Sequence, residues 1–536
     1  MAYTYRPYPH SPIGKLQTKK QHHPVVIVGA GPVGLALAID LASRNIASLV
    51  LDENNVVSVG SRAICWAKRT LEIFDRLGVG ERMLAKGITW KIGRQFHGDQ
   101  ELFSFDLLPE TGHKYPAFIN LQQYYVEQYL IERTRDFPEL IEIRFKHEVI
   151  NHIDHGDHVG VSVSTPEGRY SLNADWYIAC DGAGSTSRER MGLGFTGKPF
   201  EEKFLIADIE METSPFGSEA IAERWFWFDP TFHAGKSALF HMQPDNIYRI
   251  DLQLDATVTA QAEKVQDFAL SRIRAIVGEA QFRLDWSSIY RFRCARLDNF
   301  VHGRVVFAGD SAHIVSPFGA RGGNGGIQDA DNLGWKLAAV INGQASSRLI
   351  ETYHDERSAA ADENIQASSR TTNFMTPKSA IESLFRSETL KLAVDQPFAR
   401  TLLNSGRLSV PFVMRNSSLQ TLRDARKMLG SAAVDLPLAG DGTADKGWLI
   451  EQLQGLFVLV GFGAVELPQV AGVRRIGINQ NGGDVSFCAE DQVVRQRYGI
   501  NIAYLFRPDG HICAAFESPT VAAVTAARDY ALTKHR

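Results

Sequence analysis

The stretch RVVFAGDSAHIVSPFGARGGNGGIQDADNLGWKLAAVI, residues 304–341, reads as a strand, a loop of small residues and a long helix. Residues 304–308 are short, apolar and β-branched, as a buried strand requires. Asp310 follows at the strand's end, where open α/β sheets meet their ligands. Five of the nine residues over 318–326 are glycine, so the backbone there can lie flat against a ligand. Ile327, Ala330, Leu333, Leu337 and Ile341 then recur at three- and four-residue steps and predict one apolar helix face. The unpaired N–H groups and positive dipole end of that helix point into the glycine loop, an arrangement suited to a delocalised anion. A surface turn before a helix needs two glycines and not five.

A second glycine motif lies near the N-terminus. Residues 25–28 predict a buried strand that enters Gly29-Ala30-Gly31-Pro32-Val33-Gly34. A helix is expected over about 35–44, and a second strand over 48–51 ends at Asp52. This is a βαβ unit with the dinucleotide fingerprint, whose glycines allow a tight turn, backbone approach to pyrophosphate and close helix–strand packing. Asp52, 18 residues after Gly34, stands where a carboxylate accepts hydrogen bonds from a ribose. The spacing leaves open whether the nucleotide is NAD or the ADP half of FAD.

At 536 residues the chain has room for roughly three domains. A net charge of −4 gives no reason to expect nucleic acid or an anionic membrane as partner. Cys65, Cys180, Cys294, Cys488 and Cys513 show neither close pairing nor metal-ligand spacing, which fits reduced thiols in a cytoplasmic chain. Residues 1–22 are polar and contain proline, without the apolar core of a secretion signal, and are expected to form a mobile or surface-draped tail. No run approaches the ~18 apolar residues of a membrane helix.

Three later features bear on the nucleotide. Ser61-Arg62-Ala63 precedes a predicted helix over 68–77, Gln123 opens the amphipathic QYYVEQYLIERT, and a strand over 176–179 ends at Cys180-Asp181-Gly182-Ala183-Gly184. Each alone has an ordinary alternative: a surface arginine, an exposed glutamine, an Asp-Gly turn. In order, GAGPVG, SRA, Q-x-x-V-E, CDGAGSTSR and the opening stretch resemble the FAD-dependent aromatic hydroxylases, the single-component flavoprotein monooxygenases. Within these the chain is most similar to the phenol hydroxylase and 3-(3-hydroxyphenyl)propionate hydroxylase branch, at motif level over residues 25–345. The resemblance implies FAD as cofactor, NAD(P)H as transient reductant, and hydroxylation of a phenol by O2 through a flavin C4a-hydroperoxide. It implies that Gly29, Gly31 and Gly34, with Pro32 among them, hold the pyrophosphate and Asp52 the adenosine ribose. Arg62 and Gln123 would lie near the pyrophosphate, Asp181 and Gly182 would serve both FAD and NAD(P)H, and Asp310 would bind the ribityl chain. Pro317, Phe318, Gly319, Gly322, Gly323 and Asn324 would line the isoalloxazine. No second nucleotide-binding βαβ unit follows, since Gly461-Phe462-Gly463 leads to Pro468 rather than to a helix.

The expected architecture is α/β in three parts: a Rossmann-like FAD-binding domain (23–200 and 290–430), an inserted β-sheet substrate domain (201–289), and a linker with a thioredoxin-like domain (431–536). Alternating strands are predicted over 224–228, 237–243 and 247–254. A phenol pocket needs apolar walls and a polar group to take the phenol proton. His241 and Asp251 are the candidates for that group, Arg249 for a cationic anchor, and Trp225, Trp227, Pro317 and Phe318 for walls. The ordinary alternative is the solvated face of a sheet. Trp225-Phe-Trp227-Phe-Asp229-Pro230 departs from the WxWxIP signature of flavin-dependent halogenases at its fifth position. An oxidase, dehydrogenase or halogenase on the same scaffold, or a non-catalytic flavin sensor, are the alternative functions. The C-terminal part lacks CxxC, which excludes dithiol redox chemistry by that route and leaves a structural role, with a homodimer expected. Asp310, Ser311 and His313 do not form a hydrolase triad, because no nucleophile elbow surrounds the serine.

Overall fold

A computed structural model describes residues 3–13, 21–60, 63–216, 222–254, 262–317, 319–402, 409–421, 428–440 and 446–534. Its first sheet runs Val301–His302, Val305–Phe307, Gly168–Ala179, Gln21–Val28, Ser48–Asp52, Ile141–Phe145. The pairs from Val305–Phe307 through Ile141–Phe145 are parallel, and their register aligns Val28 with Leu51 and Ala179, and Ala179 with Phe307. Gly29, Asp52, Asp181 and Asp310 therefore leave one carboxyl edge of neighbouring strands. Helix Pro32–Ser43 follows the first strand, with Pro32 in its first turn.

A second sheet runs His313–Ile314, Arg283–Arg296, Thr196–Glu210, Ile247–Leu254, Ser237–Gln243, Arg224–Phe228, Ile92–His97, Gln100–Asp106. The alternation of residues 224–228, 237–243 and 247–254 becomes these strands without shift. The sheet is not confined to 201–289, however. Ile92–His97 pairs in parallel with Arg224–Phe228, and the outer strands begin at Thr196 and end at Arg296. One face packs on helix Ala262–Val277 through Ala269 and Ile273. The other is partly covered by Met375, Leu390 and Ala393 from helices Arg348–Met375 and Ala380–Asp395.

The C-terminal residues form a mixed sheet in the order Lys446–Trp448, Pro437–Gly440, Val485–Cys488, Val473–Ile478, Phe457–Phe462, Ile502–Phe506, Ile512–Phe516. The stretch expected as linker thus contributes the strand Pro437–Gly440. This unit is fastened to the nucleotide domain by buried charge. Glu356 accepts from Lys336 Nζ (2.7 Å), Arg507 Nη1 (2.5 Å) and Ser417 Oγ (2.5 Å). Asp509 accepts from Arg507 Nη2 (2.5 Å) and Asn332 Nδ2 (3.3 Å), while Arg69 donates to its backbone carbonyl (2.6 Å).

Residues 3–13 of the expected tail are draped and fixed. Tyr3 stacks near Tyr124 with ring centroids 4.2 Å apart and donates to Gln128, and Ile13 is buried. The Tyr5 hydroxyl accepts from Gly60 N–H at 3.1 Å. Gly60, at φ +72°, lies so close to the indole of Trp286 that a Cβ would come within 2.4 Å of it.

Candidate active site

At the carboxyl edge the three fingerprint glycines divide their tasks. A Cβ on Gly29 (φ +106°) would lie 2.4 Å from the Cys180 carbonyl oxygen, and one on Gly34 2.1 Å from the Gly29 oxygen. Gly31 has nothing within 4 Å, so open space lies before the helix N-terminus. Asp52 accepts from the Ala30 and Asn54 N–H groups, each at 2.7 Å. Burial pushes its carboxyl up, and those two N–H groups pull it back down. Asp181 accepts from Ser187 N–H at 2.9 Å through one oxygen, while the other is buried without a partner. Gly182 opens onto free space and Asp310 is exposed on the turn Gly309–Ser311. Gln123 is spent on local order: it accepts from Ala63 N–H and donates to Ser58 and Glu127. Glu127 in turn receives the Ser58 N–H and hydroxyl at 2.6 and 2.7 Å. Arg62 and Phe318 lie outside the described residues.

The glycine-rich helix starts at Gly322, earlier than the apolar pattern suggested, so Gly322, Gly323, Gly325 and Gly326 are helical. Packing explains this. A Cβ on Gly326 would approach Val33 to 2.7 Å, and one on Gly323 would approach Ala63 and Trp66 to 3.2 and 3.3 Å. Gly319 and Ala320 make the bend before it, both at positive φ, and Pro317 is exposed. Asn324 does not offer its side chain to a ligand. It accepts from Ala67 N–H (2.8 Å) and donates to the Cys65 (2.9 Å) and Ala320 (2.5 Å) carbonyls. Buried Asp329 binds His313 (2.7 Å), Gly309 N–H (3.0 Å) and Arg357 (2.6 Å), holding the Asp310 turn from behind. Ser311 donates to the Ala179 and Ala308 carbonyls, so no Ser–His pair exists there.

The second sheet is tied to this helix through a short chain of bonds. Cys65 donates to Asn120 Oδ1 (3.2 Å), and Asn120 Nδ2 donates to the Met242 carbonyl (2.7 Å), beside His241. Cross-strand register sets Arg224, His241, Arg249, Asp208 and Trp286 in one row, with Asp251 one pleat repeat along from Arg249 on the same face. Arg249 is bound bidentately by Asp208 at 2.8 and 2.7 Å, and Gln243 donates to the same carboxylate at 3.0 Å. Both ring nitrogens of His241, one oxygen of Asp251, the Gln243 oxygen and Arg224 Nε are buried without partners. Burial, with Arg224 and Arg249 nearby, holds His241 well below its ordinary value, so the ring is neutral. Burial raises Asp251 to about 6, against the pull of Arg249 and Arg224 and with the push of Asp208.

Trp225 and Trp227 fall on the opposite face, because they alternate with Arg224 and Phe226. There they join Phe96, Phe216 and Phe232 around an outer cavity of ≈ 520 Å³ and do not wall the His241 face. The cation missed by sequence, Arg224, is the one charge in the strand RWFWF. Asp208, Asn120, Asp329 and Arg357 were missed as well, since nothing local marks them.

The family model described as FAD binding domain matches residues 22–368. A para-nitrophenol 4-monooxygenase from Pseudomonas sp. is 32% identical over 62% of this chain and 82% of its own. A 12-dehydrotetracycline 5-monooxygenase/anhydrotetracycline 6-monooxygenase from Streptomyces rimosus is 28% identical over 91% of this chain and 94% of its own. The chain belongs to the FAD-dependent aromatic hydroxylases. The fold of this hydroxylase is that of a solved flavin-dependent monooxygenase in complex with FAD and substrate, at TM-score 0.79 and 18% identity over 96% of this chain and 99% of that one. The hydroxylase's carboxyl edge fits FAD: Gly31 leaves room for a phosphate, Asp181 keeps an unused acceptor, and a helix N-terminus faces the glycine bend. Among the described residues no helix is long and apolar enough to cross a membrane.

Proposed function

We propose that this hydroxylase adds one oxygen atom of O2 to a phenolic aromatic ring at the expense of NAD(P)H. Its pocket lies between the glycine-helix N-terminus and the sheet face bearing Arg224, His241, Arg249 and Asp251. The observation that carries this is the set of unpartnered buried atoms on His241, Asp251, Gln243 and Arg224. Buried polar atoms are nearly always paired, so several orphans on one face are what a polar ligand would satisfy. In this reading Gly29, Gly31 and Gly34, with Pro32, hold the pyrophosphate, Asp52 the ribose, Asp181 and Gly182 the linking groups, and Asp310 the ribityl chain. Backbone N–H groups at Gly322 and Gly323 would meet the isoalloxazine, and Pro317 and Gly319 would help to line it. Bound FAD supplies the redox and oxygen chemistry. The protein positions the ring, excludes water and moves one proton. Asp251, not His241, takes the phenol proton, because a neutral histidine between two arginines is a poor base. The second sheet is then the roof of the substrate pocket and residues 431–536 a thioredoxin-like structural unit.

The test is NAD(P)H oxidation by the FAD-loaded protein across a panel of phenols, with mass spectrometry of products. Stimulated consumption with a product heavier by one oxygen atom is expected. Stimulation with hydrogen peroxide as sole product, or no stimulation by any phenol, rejects this function.

A further inference from the structure

We propose that Arg224 docks an anionic oxygen of the substrate, a phenolate on the ring or a carboxylate attached to it, which makes acidic aromatics the substrate class. This rests on the face described above being the pocket. Two arginines stand in its central row, and they differ in their partners. Arg249, the anchor that sequence suggested, is taken by Asp208 through two hydrogen bonds, and Gln243 adds a third bond to that carboxylate. Its charge is compensated within the sheet. Arg224 forms no ion pair and no hydrogen bond among the described residues, and its Nε is buried without an acceptor. The ring of Trp90 lies beside it, with the guanidinium carbon 5.8 Å from the centroid. A guanidinium half withdrawn from water with no carboxylate partner is an anion receptor waiting for its anion.

The surrounding groups support the same assignment. Cys65, which lies within electrostatic reach of Arg224, is held as a neutral thiol, its value pushed up to about 11 by burial. His241, next in the row, is neutral. Asp208 is committed to Arg249. The remaining carboxyl, Asp251, feels Arg224 electrostatically but makes no hydrogen bond to it, and one of its oxygens is free. A phenol hydroxyl lying between them gives its proton to the Asp251 carboxylate, and the phenolate so formed takes Arg224 as counter-charge. Charge and protons balance without any other group. An arene that already bears a carboxylate needs no transfer and meets Arg224 directly. Through Cys65, Asn120 and Asn324 connect this row to the glycine bend.

The experiment is equilibrium binding to the FAD-loaded protein, without reductant, of two matched probe pairs: 4-nitrophenol against 4-nitroanisole, and benzoate against benzamide. Flavin absorbance reports occupancy, and the nitrophenolate band reports ionisation. The wild type should prefer the acidic member of at least one pair by about 10-fold or more. Preference for nitrophenol, bound as the coloured anion, identifies the phenolate; preference for benzoate identifies the carboxylate. Arg224→Gln should erase the preference with FAD content unchanged, and Arg224→Lys should restore part of it. Equal binding within both pairs, no binding of either acid at millimolar concentration, or a preference that survives in Arg224→Gln overturns the inference. A protein that shows the Arg224-dependent preference yet hydroxylates no phenol keeps the anion site and loses the hydroxylation proposed above.

Discussion

Two regions of this protein bury charge, and they do so in opposite ways. At the C-terminal interface both oxygens of Glu356 and both of Asp509 are bound, by Arg507, Lys336, Ser417 and Asn332, although Asn332 Oδ1, Arg69 Nε and His511 Nδ1 around them keep no hydrogen-bond partner. On the roof sheet His241, Asp251, Gln243 and Arg224 keep atoms with no partner at all. A buried network that closes on itself adds rigidity, whereas one left open has unfavourable solvation that a ligand can relieve. Burial alone therefore does not mark a functional site; what sets the roof face apart is that its carboxyl, imidazole and guanidinium all keep open atoms on one face, whereas the interface carboxylates keep none.

The contrast extends to pH. Arg507 and Lys336 outweigh burial and hold Glu356 far below its ordinary 4.5, so its contribution to stability is present above that value and lost as pH falls through the folded one. Asp251 is raised, so its protonated form favours folding. That contribution is complete below 3.8 and is lost as pH rises through about 6.

Breaking the closed network should have the largest effect. Glu356→Ala leaves Arg507 and Lys336 buried without their anion and should cost roughly 3–5 kcal/mol in urea unfolding. A loss below about 1 kcal/mol would show that the interface charges are dispensable and would remove one side of the comparison. Asp251→Asn should leave the urea midpoint unchanged or raised, while lowering phenol-stimulated turnover by about 100-fold. In the wild type that turnover should fall as pH drops through about 6, and the asparagine variant should lack this limb. The smallest effect belongs to His241→Leu. Since neither ring nitrogen is hydrogen-bonded, its stability should change by less than about 1 kcal/mol. A large destabilisation there would mean that the ring has a structural partner after all.

The elements that sequence made legible are those whose signal is local. Period-2 alternation gave the strands Arg224–Phe228, Ser237–Gln243 and Ile247–Leu254, and the glycine spacing gave the βαβ unit. Strands Ile92–His97 and Gln100–Asp106 pair with each other and escaped because the first joins the sheet only through Arg224–Phe228, more than a hundred residues away in the chain. Arg507-Pro508-Asp509-Gly510 reads as a turn, and it is one, but its charges close on Glu356 in a helix 151 residues earlier. Arg249 and Trp225 were attractive by residue type. Only pairing and face exclude them: one is already neutralised by Asp208 and the other sits behind the sheet. Arg224 carried the complementary signal, a lone charge among aromatics.

Gly60 links two halves of the molecule that are otherwise discussed apart. This residue lies in the loop after Asp52, Tyr5 holds it from outside, and Trp286 meets it from the roof, in the same row as Asp208 and Arg249. If the nucleotide changes how firmly that loop rests on Trp286, it changes the arene's affinity by some factor. By reciprocity the arene changes the nucleotide's affinity by that same factor. A side chain at position 60 would wedge this contact apart. Its signature would be that each ligand ceases to notice the other, even where each still binds.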